Sequence, residues 1–206
     1  MAVASMNRFT VPLQTNQSSS QQGLLMPKLQ YRFRVTFEGL GTSGSDTVEL
    51  TKQVVSFNRP VVQFNDIDVH VYNSVVKLAG KHMWQDVSTT IRDDAAGNVT
   101  RLIGLQLQKQ FDFMEQSSAA AGGDYKFITR CEILDGGNGN NSPLALDTWE
   151  LYGCYIKEAN YQELNYSSNE PLTIVLSLRY DNAVQVPGGS GIGTKIGRAI
   201  GFNSTL

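Results

Sequence analysis

The sequence has few residues that bind metals or form disulfides: two cysteines, Cys131 and Cys154, and two histidines, His70 and His82, in 206 residues. Each cysteine falls in a predicted strand, and we expect both thiols to be buried and reduced. Neither histidine has another histidine or a cysteine within four residues, which argues against a zinc site. We therefore expect no metal centre and no structural disulfide.

An excess of charge of one sign is also lacking. Charged residues make up 17% of the chain and the formal net charge is −2. This small net negative charge argues against a protein that binds nucleic acid through its phosphates. The chain has no apolar run of the about 18 residues that a membrane helix needs, and residues 1–10 lack the apolar core of a signal peptide. We expect the protein to be soluble and to fold in the cytoplasm where it is made.

A recognisable catalytic constellation is missing as well. Residues 188–195 resemble a phosphate-binding loop, but Thr194 separates the last glycine from the lysine. The carboxylate pair Asp66 and Asp68 lies on a predicted strand, where paired acids usually form a solvated face. No Gly-x-Ser-x-Gly nucleophile motif occurs. The sequence therefore predicts a protein without enzymatic activity, catalytic residues or a bound cofactor.

What the sequence contains is strand periodicity, clearest near its C-terminal end. Residues 172–180 alternate between apolar side chains and Thr, Val, Ser or Arg, which predicts a strand with one face in a core. Residues 149–155 indicate a preceding strand. The Asn, Ser and Pro residues of segment 165–171 provide turn chemistry between the two, so the sequence predicts a closing hairpin.

More strands are predicted upstream. They cover residues 31–37, 47–56, 83–93 and 125–134, and residues 66–78 indicate a hairpin with a tight turn at Asn73 and Ser74. About eight strands without helical crossovers predict mainly antiparallel pairing. The expected fold is mainly β: an antiparallel sandwich or partly open barrel with one flanking α-helix.

One helix is predicted over residues 98–116, with Asn98 as its N-cap. Steps of four and three residues define its core stripe, which consists of Val99, Ile103, Leu107, Phe111 and Met114. Leu102, Leu105 and Phe113 lie off that stripe. A lone helix does not need this additional apolar surface, so these three residues are candidate interface residues.

The two ends of the chain have little capacity to pack. Residues 1–28 are rich in Gln and Ser, and residues 183–206 are rich in Gly. Both are expected to be flexible arms that become ordered when a partner supplies contacts. Residues 29–182 remain as the folded β domain, and its Gly/Ser loop at residues 38–46 is long enough to reach a neighbour.

Two blocks of the sequence resemble the tail tube proteins of contractile-tailed bacteriophages. Residues 148–181 are similar to the C-terminal hairpin of that family, in which a Trp-x-Leu-x-Gly strand leads through an Asn/Ser loop to a strand ending near Tyr-Asp. Residues 75–94 are similar to a segment in which a strand ends at a glycine and an aromatic-x-Asp strand follows. The corresponding positions here are Gly80, Trp84, Asp86 and Asp94. The resemblance spans residues 29–182.

The resemblance implies hexameric rings stacked into a tube, with the edge strands of neighbouring subunits joined into a composite β-barrel. The implied partners are further copies of the chain, a sheath protein, and baseplate and tail-terminator proteins. Double-stranded DNA would pass through without specific binding during genome ejection. The protein would be assembled in the host cytoplasm and reside in the virion tail.

Three other interpretations compete with this one. The chain would alternatively be the inner tube or a baseplate protein of a related contractile injection system. A monomeric β-sandwich module that binds a sugar or peptide would instead show an aromatic cluster on one face, whereas the aromatic residues here are scattered. An enzyme would need a catalytic constellation that the sequence does not contain.

A tube also implies a channel wall. DNA must slide along it, and each phosphate contact by Lys or Arg would add a favourable grip, so the wall is expected to be neutral or negative. The predicted strand face that carries Asp66, Asp68 and His70 is acidic and lies opposite an apolar face. These residues are candidate channel-facing residues. The competing interpretation is that they form outer surface.

Overall fold

The computed structural model describes residues 27–41, 47–136, 143–185 and 192. The chain divides into two units, residues 1–32 and residues 33–206. Of the first unit only residues 27–32 are described, and they contain a turn in which the Arg32 amide donates to the Leu29 carbonyl over 3.2 Å. The β architecture belongs to the second unit.

The described part of the second unit contains eleven strands and two helices. The strands are β1 (Phe33–Glu38), β2 (Val54–Phe57), β3 (Val62–Val71), β4 (Ser74–Trp84), β5 (Val87–Arg92), β6 (Phe111–Asp112), β7 (Ser117–Ser118), β8 (Phe127–Leu134), β9 (Ala145–Asn160), β10 (Thr173–Arg179) and β11 (Asn182–Gln185). The helices are α1 (Thr47–Gln53) and α2 (Asn98–Gln110). The strand pairs are antiparallel throughout, as predicted.

Strand β9 belongs to both layers of a sandwich. Its first half pairs with β8 and β11, and β1 lies beyond β8; these strands form the first layer. Its second half pairs with β10, which continues through β5 to β2 and forms the second layer. Gly153 lies at the changeover with a φ of 68°, a conformation that glycine adopts without steric cost. The fold is the predicted β-sandwich, and the described strands do not close into a barrel.

The core lies between the two layers and is completed by the helices. The periodic residues within β10 are fully buried as predicted, together with residues of every long strand outside the β3–β4 hairpin. Leu172, predicted to share the buried face, precedes β10 and is 40% exposed, so that part of the prediction is wrong. Fully buried large side chains include Phe37, Leu50, Ile91, Leu102, Ile103, Phe127, Leu151, Ile174, Leu176 and Leu178. Removing this much apolar surface from water is the main favourable term in folding.

Helix α2 differs from its prediction at both ends. It ends at Gln110 rather than at residue 116, because Phe111 has an extended backbone and begins β6. The predicted N-cap, Asn98, is wrong. The N-cap is Gly97, which has no side chain to cap with. The Asp94 carboxylate accepts in its place: one oxygen accepts from the Val99 amide over 3.1 Å, and the other accepts from the Asn98 side chain over 2.9 Å.

Two predicted strands are wrong in part. Residues 47–53 form helix α1 rather than the start of a strand, since helical geometry places Leu50 in the core, and this burial overrides the β preference of Thr47 and Val48. The predicted strand 83–93 is interrupted. Strand β4 ends at Trp84 and β5 begins at Val87, so the chain turns at Gln85 and Asp86.

The predicted boundary of the C-terminal arm is also wrong. Residues 182–185 form β11, which pairs with β9 from Asn182↔Tyr152 to Gln185↔Trp149. Ala183 is buried in the core, so the chain still belongs to the sandwich there. The remaining predicted arm segments, 1–26 and 186–206 apart from residue 192, and loop residues 42–46 lie outside the described residues.

Candidate assembly surface

Strands β3 and β4 form a hairpin that pairs with no other described strand. The pairing runs from Val62↔Trp84 to Val71↔Ser74, and the turn consists of Tyr72 and Asn73, one residue earlier than predicted. At about 3.3 Å per residue, strands of this length span roughly 33 Å. Every residue from Gln63 to Met83 is exposed except Gly80, so the hairpin lies outside the core.

The two faces of the hairpin differ in chemistry over residues 66–79. One face carries the cross-strand pairs Ile67↔Leu78 and Val69↔Val76, followed by Val71. We call these five residues the apolar hairpin face. Each is between 39% and 52% exposed. The opposite face carries Asp66, Asp68 and His70, whose cross-strand partners are Ala79, Lys77 and Val75.

A β-bulge lies between the hairpin's root and its outer part. The register passes from Phe64↔His82 to Asp66↔Ala79, which leaves one additional residue on β4 beside Gly80. A Cβ atom at Gly80 would lie 2.7 Å from the Asn65 carbonyl oxygen. This close backbone approach explains why glycine occupies one of the positions on which the family resemblance rests.

Exposure of the apolar hairpin face to water is unfavourable for an isolated copy of the chain. A two-stranded hairpin is marginally stable by itself in water, and contiguous exposed apolar surface usually marks an interaction site. Among the described residues no element covers this face. The hairpin therefore has the properties of an interface element.

The polar hairpin face is less acidic than its prediction. Lys77 forms an ion pair with Asp68 over 2.9 Å and lies 3.8 Å from Asp66. Two carboxylates thus share one ammonium group. The structure brings Asp66, Asp68 and His70 to one exposed face, as predicted from their alternation. Their orientation towards a channel stays a prediction.

The root of the hairpin, at Trp84 and Asp86, is anchored on the second layer. The Trp84 ring contacts the Tyr180 ring with centroids 5.8 Å apart. Asp86 accepts from Lys157 over 2.5 Å and from Arg179 over 2.7 Å. These hydrogen bonds, the one from Lys157 first, hold the pKa of the Asp86 carboxyl below its usual value. The anchor joins the β4–β5 turn to β9 and β10.

The structure separates the three predicted interface residues of the helix. Leu102 is fully buried in the core, so its assignment to an interface is wrong. Leu105 is half-buried, and Phe113 is 57% exposed with its ring 5.4 Å from that of Phe111. The interface role of these two residues stays a prediction. Met114, predicted to lie in the core, is exposed because the helix has ended before it.

Helix α2 is fixed by glutamine side chains, a feature that the sequence analysis missed. The Gln106 amide is buried; it accepts from the Gly41 amide over 3.1 Å and donates to the Tyr125 carbonyl over 2.5 Å. Gln110 donates to the Ile156 carbonyl and accepts from its amide, both over 2.9 Å. Both bind main-chain groups, which apolar periodicity cannot reveal.

Among the described residues, the remaining groups with possible chemistry are the two thiols. Cys131 and Cys154 are free and buried, and burial raises their thiol pKa values to about 12 and about 11. The described residues contain no group of three or more His, Cys, Asp or Glu side chains placed to hold a metal ion. None of the described helices is long and apolar enough to cross a membrane.

No family model matches this sequence, and no curated protein matches it either. Solved structures with a similar fold come from contractile injection systems. A chain in the structure of the anti-feeding prophage tube-terminating cap is 14% identical over 80% of this chain and 94% of its own, with a TM-score of 0.55. A chain in the structure of the sheath/tube terminator of the PVC extracellular contractile injection system is 12% identical over 80% of this chain and 99% of its own, also with a TM-score of 0.55.

A third structure extends the comparison to a tube. The PVC sheath–tube complex in its extended state contains a chain that is 14% identical over 84% of this chain and 99% of its own, with a TM-score of 0.51. At such identities the likeness concerns the fold. The β-sandwich of this chain is therefore of the general tail-tube fold class.

Proposed function

We propose that this protein is a structural subunit that assembles with copies of itself into a tube of the contractile-tail type. The observation that carries the proposal is the projecting hairpin, whose apolar face has no cover among the described residues. The tail-tube fold supports it independently. In a ring or stack, a neighbouring copy supplies the missing cover.

The rival classes have less support. A sugar- or peptide-binding module would present an aromatic cluster on one face. The apolar hairpin face consists of Ile, Val and Leu, and the exposed Tyr161 and Tyr166 lie on a separate connection that also carries exposed leucines. An enzyme would need convergent polar groups in a cleft, and neither sequence nor described residues supply a catalytic constellation. We propose that the protein has no catalytic activity.

The proposal has a bacteriophage form and an injection-system form. In the first, hexameric rings stack inside a contractile sheath, between a baseplate and a tail terminator, and the genome leaves through the channel. The two sequence blocks that resemble phage tail tube proteins favour this form. In the second, the chain is the inner tube or a baseplate protein of a contractile injection system. The origin of the similar structures favours that form.

We further propose that the polar hairpin face lines the channel. Asp66, Asp68 and His70 share that face with Lys77, which is held by both carboxylates. An ammonium group that is already paired with two carboxylates attracts a passing phosphate only weakly. The face would therefore meet the requirement for a wall that is polar and not attractive to DNA.

Self-association tests the proposal directly. The hairpin variant Ile67→Ser/Leu78→Ser places two hydroxyl groups on the apolar face without altering the core. In sedimentation velocity over a concentration series, the wild type should form large species, and the variant should remain a folded monomer. Asn169→Ser, a polar exchange in an exposed loop, serves as the control and should assemble like the wild type. A monomeric wild type throughout the series would contradict the proposal.

A further inference from the structure

A second apolar surface lies in the connection between β9 and β10. In residues 161–172, the side chains of Tyr161, Leu164, Tyr166 and Leu172 are each at least 40% exposed. Tyr166 is fully exposed and Leu164 nearly so. We call residues 161–172 the aromatic loop. Four large, exposed apolar side chains on one connection are an unusual surface for a solitary domain.

The aromatic loop and the hairpin lie at opposite ends of the second layer. The Asp93 amide, just beyond the end of β5, donates to the Leu172 carbonyl over 2.9 Å. The hairpin joins β5 at its other end, next to Val87. The six residues of β5 separate the two ends by about 20 Å. The loop of one copy is therefore poorly placed to cover the hairpin of the same copy.

Local hydrogen bonds order the aromatic loop. The Gln162 amide donates to the Asn160 side chain over 2.9 Å, and the Ser167 amide donates to the Asn165 side chain over the same distance. A turn closes with a bond from Ser168 to the Asn165 carbonyl. These Asx turns satisfy main-chain groups within the loop. The loop thus presents its apolar side chains with less conformational entropy left to lose on binding.

The charges of the two surfaces are complementary. The aromatic loop contains two acidic residues, Glu163 and Glu170, and no Lys or Arg. Lys81, at the hairpin bulge beside the apolar face, is exposed and forms no ion pair with the described residues. Opposite charges at the rim of an apolar contact favour one docking orientation.

We propose that the aromatic loop of one copy docks on the apolar hairpin face of the next copy. The inference rests on the proposed function, because it names the contact through which the copies associate. Two different surfaces at opposite ends of one subunit make a heterologous interface, which repeats in one direction and covers both surfaces in every internal copy. The same contact gives the assembly a polarity.

Cross-linking tests the contact. Val71→Cys on the hairpin and Tyr166→Cys in the loop are made in separate proteins, mixed, and treated with a short bis-maleimide. The buried native thiols, with their raised pKa values, should not compete. We expect a cross-linked heterodimer from this mixture. In the matched control, Tyr166→Cys is replaced by Met114→Cys, an exposed apolar position in the turn between β6 and β7, and this mixture should give none.

Assembly gives the second readout. Leu164→Ser/Tyr166→Ser should raise the concentration at which large species form by at least about tenfold, because two buried apolar side chains are lost from each contact. Asn169→Ser in the same loop should change nothing. Wild-type-like assembly of the loop variant, or cross-linking to position 114 in place of 166, would overturn the docking inference and leave the proposed function standing. A wild type that never assembles would overturn both.

Discussion

At the scale of single residues, Gly153 has the most demanding position in the sandwich. Its φ of 68° suits glycine, and a Cβ atom there would lie 2.8 Å from Asp181 Cγ. Asp181 is held by Lys126 over 2.6 Å. We expect Gly153→Ala to lower the free energy of unfolding by about 2 kcal/mol, from backbone strain and displacement of Asp181. Urea denaturation measures the difference.

Gly104 supplies the matched control for that substitution. It lies on the exposed side of α2, and a Cβ atom there would meet no atom within 4 Å. Glycine within a helix costs about 0.5–1 kcal/mol relative to alanine, so Gly104→Ala should stabilise the protein by about that amount. Equal effects of the two substitutions would contradict the inference that glycine is needed where β9 passes from one layer to the other.

At the scale of elements, Asp86 joins the hairpin root to two strands of the second layer. Lys157 and Arg179 lower the pKa of its carboxyl, so the ionised form is favoured in the folded state. The resulting stabilisation is complete above the unfolded-state pKa and is lost as the pH falls through the lower folded-state value. Asp86→Asn should therefore cost about 1 kcal/mol near neutral pH, and less below about pH 3.

Chemical denaturation at the two pH values tests this dependence. Glu158→Gln is the control, because Glu158 is exposed beside Lys157 on β9 and forms no ion pair with the described residues. It should alter stability little at either pH. An Asp86→Asn cost that is equal at both pH values would show that the carboxylate charge is not what anchors the hairpin root.

The elements also show which features of the fold can be predicted from the sequence. Period-two alternation predicts β10 and both hairpin faces correctly, because each of these strands has one apolar face. It fails where several elements share one core. Leu102 lies off the predicted helical stripe, yet it is buried because the core covers a wider arc of α2. Gln106 lies in that arc, and its partners are main-chain groups distant in sequence.

At the scale of the whole molecule, the wall of the proposed channel is the feature that periodicity leaves open. The alternation of Asp66, Asp68 and His70 defines a face but not its direction in an assembly. Asp66→Lys/Asp68→Lys would place a cluster of ammonium groups on that face and should leave folding and tube length unchanged. DNA passage should be slowed or blocked, because each new phosphate contact adds a favourable grip.

Genome ejection from particles that carry the double lysine change tests the direction of this face. The control is Asp66→Asn/Asp68→Asn, which removes the carboxylates without adding positive charge, and ejection should then proceed. Normal ejection with the lysine variant would place the face outside the channel.

The described β domain is a sandwich whose apolar hairpin face and aromatic loop lie at opposite ends of one layer. In the proposed assembly, neighbouring copies cover these two surfaces, which no described residue of the same copy covers. Negative-stain imaging of the purified protein tests this claim most directly. Rings or hollow tubes should be seen with the wild type and should be absent with folded Ile67→Ser/Leu78→Ser. Isolated particles of the wild type at every concentration, or tubes from the double variant, would contradict it.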